Sequence, residues 1–262
     1  MGRRYTRRMN DSALLALAAD LALQAGAAIL AVRARGFAVE RKDDRSPVTE
    51  ADRAAEALIV AGLRAAAPDI PVIAEEEMAG GRITAPSAQY WLVDPLDGTR
   101  EFAAGRDEFV VNIGLVRDGQ AHLGVVAVPV SGEVFGAIAG QGAWKRDAAG
   151  QRAIAARVPP ADGLVVLASR SHGDVPRLEA FLAGRTVARV EKYGSALKVC
   201  RLAEGAADLY PRFGRTMEWD TCAPQAILEA AGGSVRTVDG RRLGYGKPGW
   251  ENPDFICAGR EA

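Results

Sequence analysis

The chain has 262 residues, 48% of them hydrophobic and 25% charged, with Lys plus Arg and Asp plus Glu equal at 33 each. That length can bury a sizeable core, as one large domain or two small ones. The even charge excludes a surface built to grip a nucleic-acid polymer. Only His122 and His172 occur, which excludes a multi-histidine zinc site within one chain. Cys200, Cys222 and Cys257 lack metal-ligand spacing, and their odd number points to a reducing cytoplasm. No apolar run is read as approaching membrane-spanning length. A small anionic substrate stays open, because bound metal ions would supply positive charge locally.

In chain order, residues 1–9 read as a basic tail with four arginines, giving at most weak peripheral attraction to anionic lipid. Translation could start at Met1 or Met9. Asn10-Asp11-Ser12 offers caps for a long alanine-rich helix that Gly36 closes. A short strand at Val39 to Arg41 and a polar turn from Lys42 to Pro47 follow. Thr49-Glu50-Ala51-Asp52 has capping-box spacing and opens a helix running toward Pro68. Pro71 to Ala74 is a short strand ending at Glu75-Glu76-Glu77, followed by a loop from Gly80 to Gln89.

Tyr90 to Val93 is the next strand. Phe109 to Val116, Ala121 to Val130 and Glu133 to Ala139 then form a meander joined at Asp118-Gly119 and Ser131-Gly132. The first half, 10–157, should therefore hold an antiparallel sheet. In the second half, 158–262, short strands at Leu164 to Ala168, Val187 to Val190 and Ala207 to Tyr210 alternate with helices. These run over Pro176 to Ala183, Ser195 to Glu204 and Cys222 to Ala231, which suggests an α/β layer. The boundary falls near Val158-Pro159-Pro160.

Chemistry concentrates in Asp94-Pro95-Leu96-Asp97-Gly98-Thr99. An apolar strand delivers two aspartates to a turn forced by Pro95 and Gly98. This places Asp94, Asp97 and the Leu96 carbonyl around one point, a hard oxygen set suited to Mg²⁺. Glu75 ends a strand as Asp94 does, so the two acids make a cation cradle. Asp220, in Glu218-Trp219-Asp220-Thr221, opens a helix and would serve there as a cap. At an effective dielectric near 20, two carboxylates about 4 Å apart repel by roughly 4 kcal/mol. Converging acids therefore call for two or three divalent cations, or for protonation.

Asp94 to Phe102 resembles the metal-binding motif of the inositol monophosphatase superfamily of Mg²⁺-dependent, Li⁺-sensitive phosphatases. The ending Gly98-Thr99-Arg100-Glu101-Phe102 is most similar to its 3'(2'),5'-bisphosphate nucleotidase branch. Ser169-Arg170-Ser171-His172, Gly194-Ser195-Ala196-Leu197-Lys198, Tyr210-Pro211-Arg212-Phe213-Gly214 and Trp219-Asp220-Thr221 follow in that branch's order. Pro224 departs from it, standing where glycine is commoner. It is read as tolerable in a first helical turn.

The resemblance implies an α/β fold, a layered αβαβα sandwich. It implies Asp220 as a distant metal ligand beside Glu75, Asp94, Leu96 and Asp97, and Asp52 with Thr99 as the pair orienting the attacking water. It places Gly98, Thr99, Ser195 and Asp220 against the substrate, Lys198 and Arg212 on a non-reacting phosphate, and His172 near the nucleoside. The implied activity is hydrolysis of the 3'-phosphate of adenosine 3',5'-bisphosphate to AMP, recycling a nucleotide of sulfur assimilation. An inositol or sugar monophosphatase and a catalytically silent nucleotide-binding protein are the alternatives. The substrate would be a small phosphorylated nucleotide. The expected compartment is the cytoplasm, with peripheral contact at the inner membrane left open, as is a homodimer. On this resemblance, Li⁺ should inhibit in the millimolar range against a K⁺ control of equal ionic strength; phosphate release indifferent to Li⁺ would count against the placement.

Overall fold

The computed structural model describes residues 9–41, 47–170 and 173–261. The arginines of the start, residues 42–46 of the polar turn, and His172 lie outside them.

The elements begin with α1 (Asp11–Arg35), β1 (Val39–Arg41), β2 (Pro47–Thr49), α2 (Glu50–Ala66), β3 (Val72–Ala74), α3 (Glu75–Ala79), β4 (Gln89–Asp97) and α4 (Thr99–Ala103). The meander is β5 (Val110–Arg117), β6 (Gln120–Val128), β7 (Glu133–Ile138), β8 (Ala143–Asp147) and β9 (Gly150–Ile154). Then come β10 (Leu164–Ser169), α5 (Val175–Leu182), β11 (Val187–Tyr193), α6 (Leu197–Ala203), β12 (Leu209–Arg212), α7 (Glu218–Ala230), β13 (Ser234–Thr237) and β14 (Phe255–Ala258). A seven-stranded sheet runs β3-β4-β5-β6-β7-β8-β9, and a five-stranded sheet runs β11-β10-β12-β14-β13.

Strand periodicity assigns the layers, because alternate side chains point to opposite faces. Val111, Ile113 and Leu115 of β5 face one way and pack with Ile29 of α1 and Ile59 of α2. Val110 of the same strand faces the other way, and shares a core with Val199 of α6, Ile227 of α7 and Leu167 and Tyr210 of the second sheet. Helices α6 and α7 thus lie between two sheets, and the two halves of the chain share that core. Helix α5 adds a fifth layer, with Phe181 edge-on to Phe213 at 5.7 Å. The αβαβα sandwich is the observed architecture.

Caps fall where local chemistry places them. Asn10 Oδ1 accepts from the Ala13 amide at 2.9 Å, and Gly36 ends α1 at φ +82°. Helix α1, at 25 residues, is long and apolar enough to cross a membrane by length and composition. This corrects the sequence reading, which missed it because alanines rather than a leucine run carry the hydropathy. Here Leu14, Ala18, Ala22, Ala25 and Ile29 are buried against the sheet and α2. Strands β8 and β9 were also missed; they are polar, and β9 is an exposed edge. Helix α3 follows β3 without a break, so Glu75 begins a helix instead of ending a strand.

The approach of α7 to the first sheet needs two glycines. Gly114 and Gly124 face each other across β5 and β6. A Cβ on Gly114 would lie 2.6 Å from Cys222 Sγ, and one on Gly124 would lie 2.2 Å from the Ala223 carbonyl oxygen. The bare patch lets the helix backbone sit on the strands, and Cys222 is the small packed residue expected of it. Pro224 requires a correction. Because α7 starts at Glu218, Pro224 lies inside the helix and beyond its first turn, where its missing N–H leaves the Asp220 carbonyl without the usual i→i+4 donor.

Replacing Gly124 by Ala should overpack this contact and cost about 1–3 kcal/mol. For a chain of this size that lowers the melting temperature by several degrees, to roughly 3 °C or more below wild type. An unchanged thermal unfolding curve would show that α7 does not rest on this pair.

Candidate active site

Parallel pairing of β3 with β4 sets Ala74 opposite Val93, so the next residues, Glu75 and Asp94, emerge side by side. Beyond Asp94 the ladder slips. Asp94 pairs with Asn112 and Asp97 with Val110, so three steps on β4 match two on β5. This bulge accommodates Pro95 and re-aims the strand end. Asp94 Oδ1 accepts from the Leu96 amide at 3.0 Å, which tightens the turn. Gly98 then takes φ +98°, a conformation that a side chain would resist.

The third acid arrives from the far end of the sequence. Asp220 Oδ2 accepts from the Met217 amide at 2.9 Å and so caps α7. One oxygen atom each of Glu75, Asp94 and Asp220 lie within 4.8 Å of one another. Burial first, then Glu75, Asp97 and Asp220, push the Asp94 carboxyl well above its ordinary range. Burial and then Asp97 and Glu75 do the same to Asp220. An all-oxygen set in which neighbouring acids oppose ionisation fits a hard divalent cation. Glu75, Asp94 and Asp220 are the residues that would hold it.

Asp97 stands slightly apart from that trio. Its Oδ2 accepts from the Ala196 amide at 2.5 Å and from Asn112 Nδ2 at 3.3 Å. Burial raises its pKa to about 6, against the pull of Lys198. Burial lowers Lys198 to about 8, while Asp97 acts to raise it.

The Leu96 carbonyl and Asp52 Oδ1 both lie 3.0 Å from Thr99 Oγ1. A hydroxyl has one proton, so Thr99 can donate to only one of them at a time. Asp52 Oδ2 meanwhile accepts from the Thr49 amide at 2.8 Å and its hydroxyl at 2.7 Å. The capping role of Asp52 and its contact with Thr99 therefore use different oxygen atoms and coexist. Burial is the main cause of a raised Asp52 pKa.

Glu75, Asp94, Leu96, Asp97, Thr99 and Asp220 line one cavity of about 760 Å³, which also receives Gly98, Ser195, Lys198 and Arg212. Asp52 lies behind Thr99 and meets the cavity only through that contact. The buried Lys198 ammonium donates to the carbonyls of Tyr193 and Ser195. Arg212 Nη2 donates to the Arg215 carbonyl at 3.0 Å. Ser195 is held at φ +47°. His172, the remaining expected substrate contact, lies outside the described residues.

Three supporting residues escaped the sequence reading. Glu56 accepts from the amides of Glu76 and Glu77, at 2.6 and 2.8 Å, and so caps α3 from α2. Burial raises its pKa to about 7. Its signal was a second acid four residues after Asp52, hence on the same helical face. Asn112 reaches Asp97 from β5. Glu108 accepts from Arg170 and from the Gly194 amide. Neither has a local signature, since both act across the chain.

Comparison with known proteins agrees with this geometry. A model of the inositol monophosphatase family matches residues 10–261. A Shigella flexneri protein named 3'(2'),5'-bisphosphate nucleotidase CysQ is 43% identical over 241 residues, covering 90% of this chain and 96% of that one. A Mycobacterium leprae 3'-phosphoadenosine 5'-phosphate phosphatase is 33% identical, covering 97% of this chain and 91% of that one. The crystal structure of CysQ from Bacteroides thetaiotaomicron superposes with a TM-score of 0.79 at 34% identity, covering 95% of this chain and 98% of that one.

In metal-free protein the raised carboxyls favour folding only while protonated. Their contribution is fully present below the unfolded value of about 4 and is lost as pH rises through the folded values. At neutral pH, Asp94→Asn should therefore leave metal-free protein at least as stable as wild type. It should also shrink the rise in melting temperature on adding MgCl₂. Thermal unfolding with EDTA and with MgCl₂ measures both; a metal-free variant several degrees less stable would contradict the clustered-charge account.

Proposed function

The chain belongs to the inositol monophosphatase family, and we propose that it is a Mg²⁺-dependent 3'(2'),5'-bisphosphate nucleotidase, releasing the 3'-phosphate of adenosine 3',5'-bisphosphate to leave AMP. One observation carries the reading. A single cavity joins a carboxylate trio and Thr99, which Asp52 backs through a hydrogen bond, to a wall bearing Lys198 and Arg212. A monophosphate would need fewer such cations, whereas a second, non-reacting phosphate gives them a role.

Two to three Mg²⁺ ions, held by Glu75, Asp94, the Leu96 carbonyl, Asp97 and Asp220, would polarise the phosphoryl group, acidify water and stabilise the leaving oxygen. The protein's own part is orientation and proton transfer. Water attacks phosphorus in line with the 3' oxygen, the P–O3' bond breaks, and the released 3' oxygen takes a proton from solvent water to become the 3'-hydroxyl of AMP. As the new P–O bond forms, the water's proton passes to Thr99 Oγ1 while the Thr99 proton passes to Asp52 Oδ1. The 3.0 Å contact supports that relay, and the burial-raised pKa makes Asp52 a better acceptor than an exposed aspartate. Gly98 and the Ser195 turn border the reacting phosphate. Lys198 and Arg212 hold the 5'-phosphate, and the family resemblance assigns His172, outside the described residues, to the nucleoside.

Arg212→Ala should lose about 1.5–3 kcal/mol in kcat/KM for adenosine 3',5'-bisphosphate, the scale of a hydrogen bond to a charged group. The loss on inositol 1-phosphate should be small. A panel of these two substrates, the sulfated nucleotide and fructose 1,6-bisphosphate tests the assignment; equal losses on both substrates would move Arg212 to the reacting centre or to folding. Wild-type preference for inositol 1-phosphate would overturn the nucleotidase reading.

A further inference from the structure

Glu108 lies between α4 and β5, on the first-half side of the cavity, and both its partners come from the second half. Its Oε1 accepts from Arg170 Nη2 at 2.7 Å, and its Oε2 from Arg170 Nε at 3.1 Å. The same Oε2 accepts from the Gly194 amide at 2.9 Å. This is a two-pronged pairing of guanidinium with carboxylate, a geometry that fixes direction as well as distance. Arg170 Nη2 also donates to the Lys192 carbonyl at 2.8 Å, and the Arg170 amide donates to the Tyr193 carbonyl at 3.1 Å. One carboxylate thus ties the end of β10 and the end of β11 to the segment that follows the metal-binding turn.

The tie reaches the cavity within two residues. Gly194 is followed by Ser195, at φ +47°, and by Ala196, whose amide donates to Asp97. A Cβ at Gly194 would lie 2.6 Å from Glu101 Cγ and 2.8 Å from the Glu108 carbonyl oxygen, so the turn is pressed against the first half. Ser169, Gly194, Ser195 and Ala196 all line the cavity. Arg170 is committed to Glu108, which separates its role from that of Arg212.

We propose that Glu108 is a positioning residue: it clamps the Ser169–Arg170 segment and the Gly194–Ala196 turn into one substrate-binding wall, facing a phosphorylated nucleoside. The proposal rests on the nucleotidase reading for the identity of that substrate. Glu108 need not touch the substrate; it sets the place of the groups that do. Its loss should weaken binding more than chemistry, because the carboxylate trio and the Asp52–Thr99 pair are anchored elsewhere, and Asp97, which the turn reaches through the Ala196 amide, keeps its contact with Asn112.

The test compares Glu108→Ala, Glu108→Gln, Arg170→Gln and the Glu108→Gln/Arg170→Gln double variant. Glu108→Ala should raise KM for adenosine 3',5'-bisphosphate by about ten-fold or more, with kcat changed by less than about three-fold. Glu108→Gln keeps an acceptor for the Gly194 amide and should recover part of that loss. The double variant should be little worse than either of its singles, since both break one pair. Melting temperatures should stay within a few degrees of wild type. An unchanged KM, a loss confined to kcat, equal defects in the Ala and Gln variants, or additive single effects would each overturn the clamp. Wild-type protein that ignores the nucleotide but cleaves inositol 1-phosphate would instead overturn the nucleotidase reading, and the same criteria applied to inositol 1-phosphate would then decide the clamp.

Discussion

Glu75, Asp94 and Asp220 repel one another, and burial removes much of the water that would screen them. Each is therefore held in place by something other than its neighbours. Glu75 is placed by parallel strand pairing and by α3, which Glu56 caps from beneath. Asp94 is fixed by its strand and by the Leu96 amide. Asp220 is fixed by its cap on Met217. The cost of assembling such a site falls on the folding of the metal-free chain, and a bound cation would offset it.

Helix α7 links that site to the core. Its first turn carries Asp220, and its next residues press Cys222 and Ala223 onto the Gly114–Gly124 pair. Glu218, buried beneath, accepts from the amides of Gly246 and Lys247 at 2.9 and 2.8 Å. A change in how α7 seats on the first sheet would therefore move Asp220 relative to Glu75 and Asp94. Pro224, just beyond this contact, removes one internal hydrogen bond from the helix at the position that follows the Asp220 turn. Shared packing between the two sheets is what lets residues more than a hundred apart in sequence keep ångström-scale spacing.

Helix capping recurs in the site because its chemistry is dual. A carboxylate that accepts from a free N–H at a helix start has a second oxygen left to act elsewhere. Asp52 uses one oxygen on Thr49 and the other on Thr99. The two roles read for Asp52, helix cap and partner of Thr99 in orienting the attacking water, are therefore compatible.

The sequence by itself determined the local elements and the ligand types. Periodicity exposed the meander, cap chemistry exposed the starts of α1 and α2, and Asp94 to Phe102 carried its chemistry in one contiguous run. Polar edge strands such as β8 and β9 have weak periodicity and were missed; α1 was read as a helix, but its hydropathy is spread over alanines, so its membrane-spanning length was missed. Only the tertiary structure decided which acids meet, that Asp97 turns partly toward Ala196 and Asn112, and that Glu56 and Glu108 support the cavity. Those contacts join elements far apart in the chain, and no local preference encodes a distance between two surfaces that packing alone brings together.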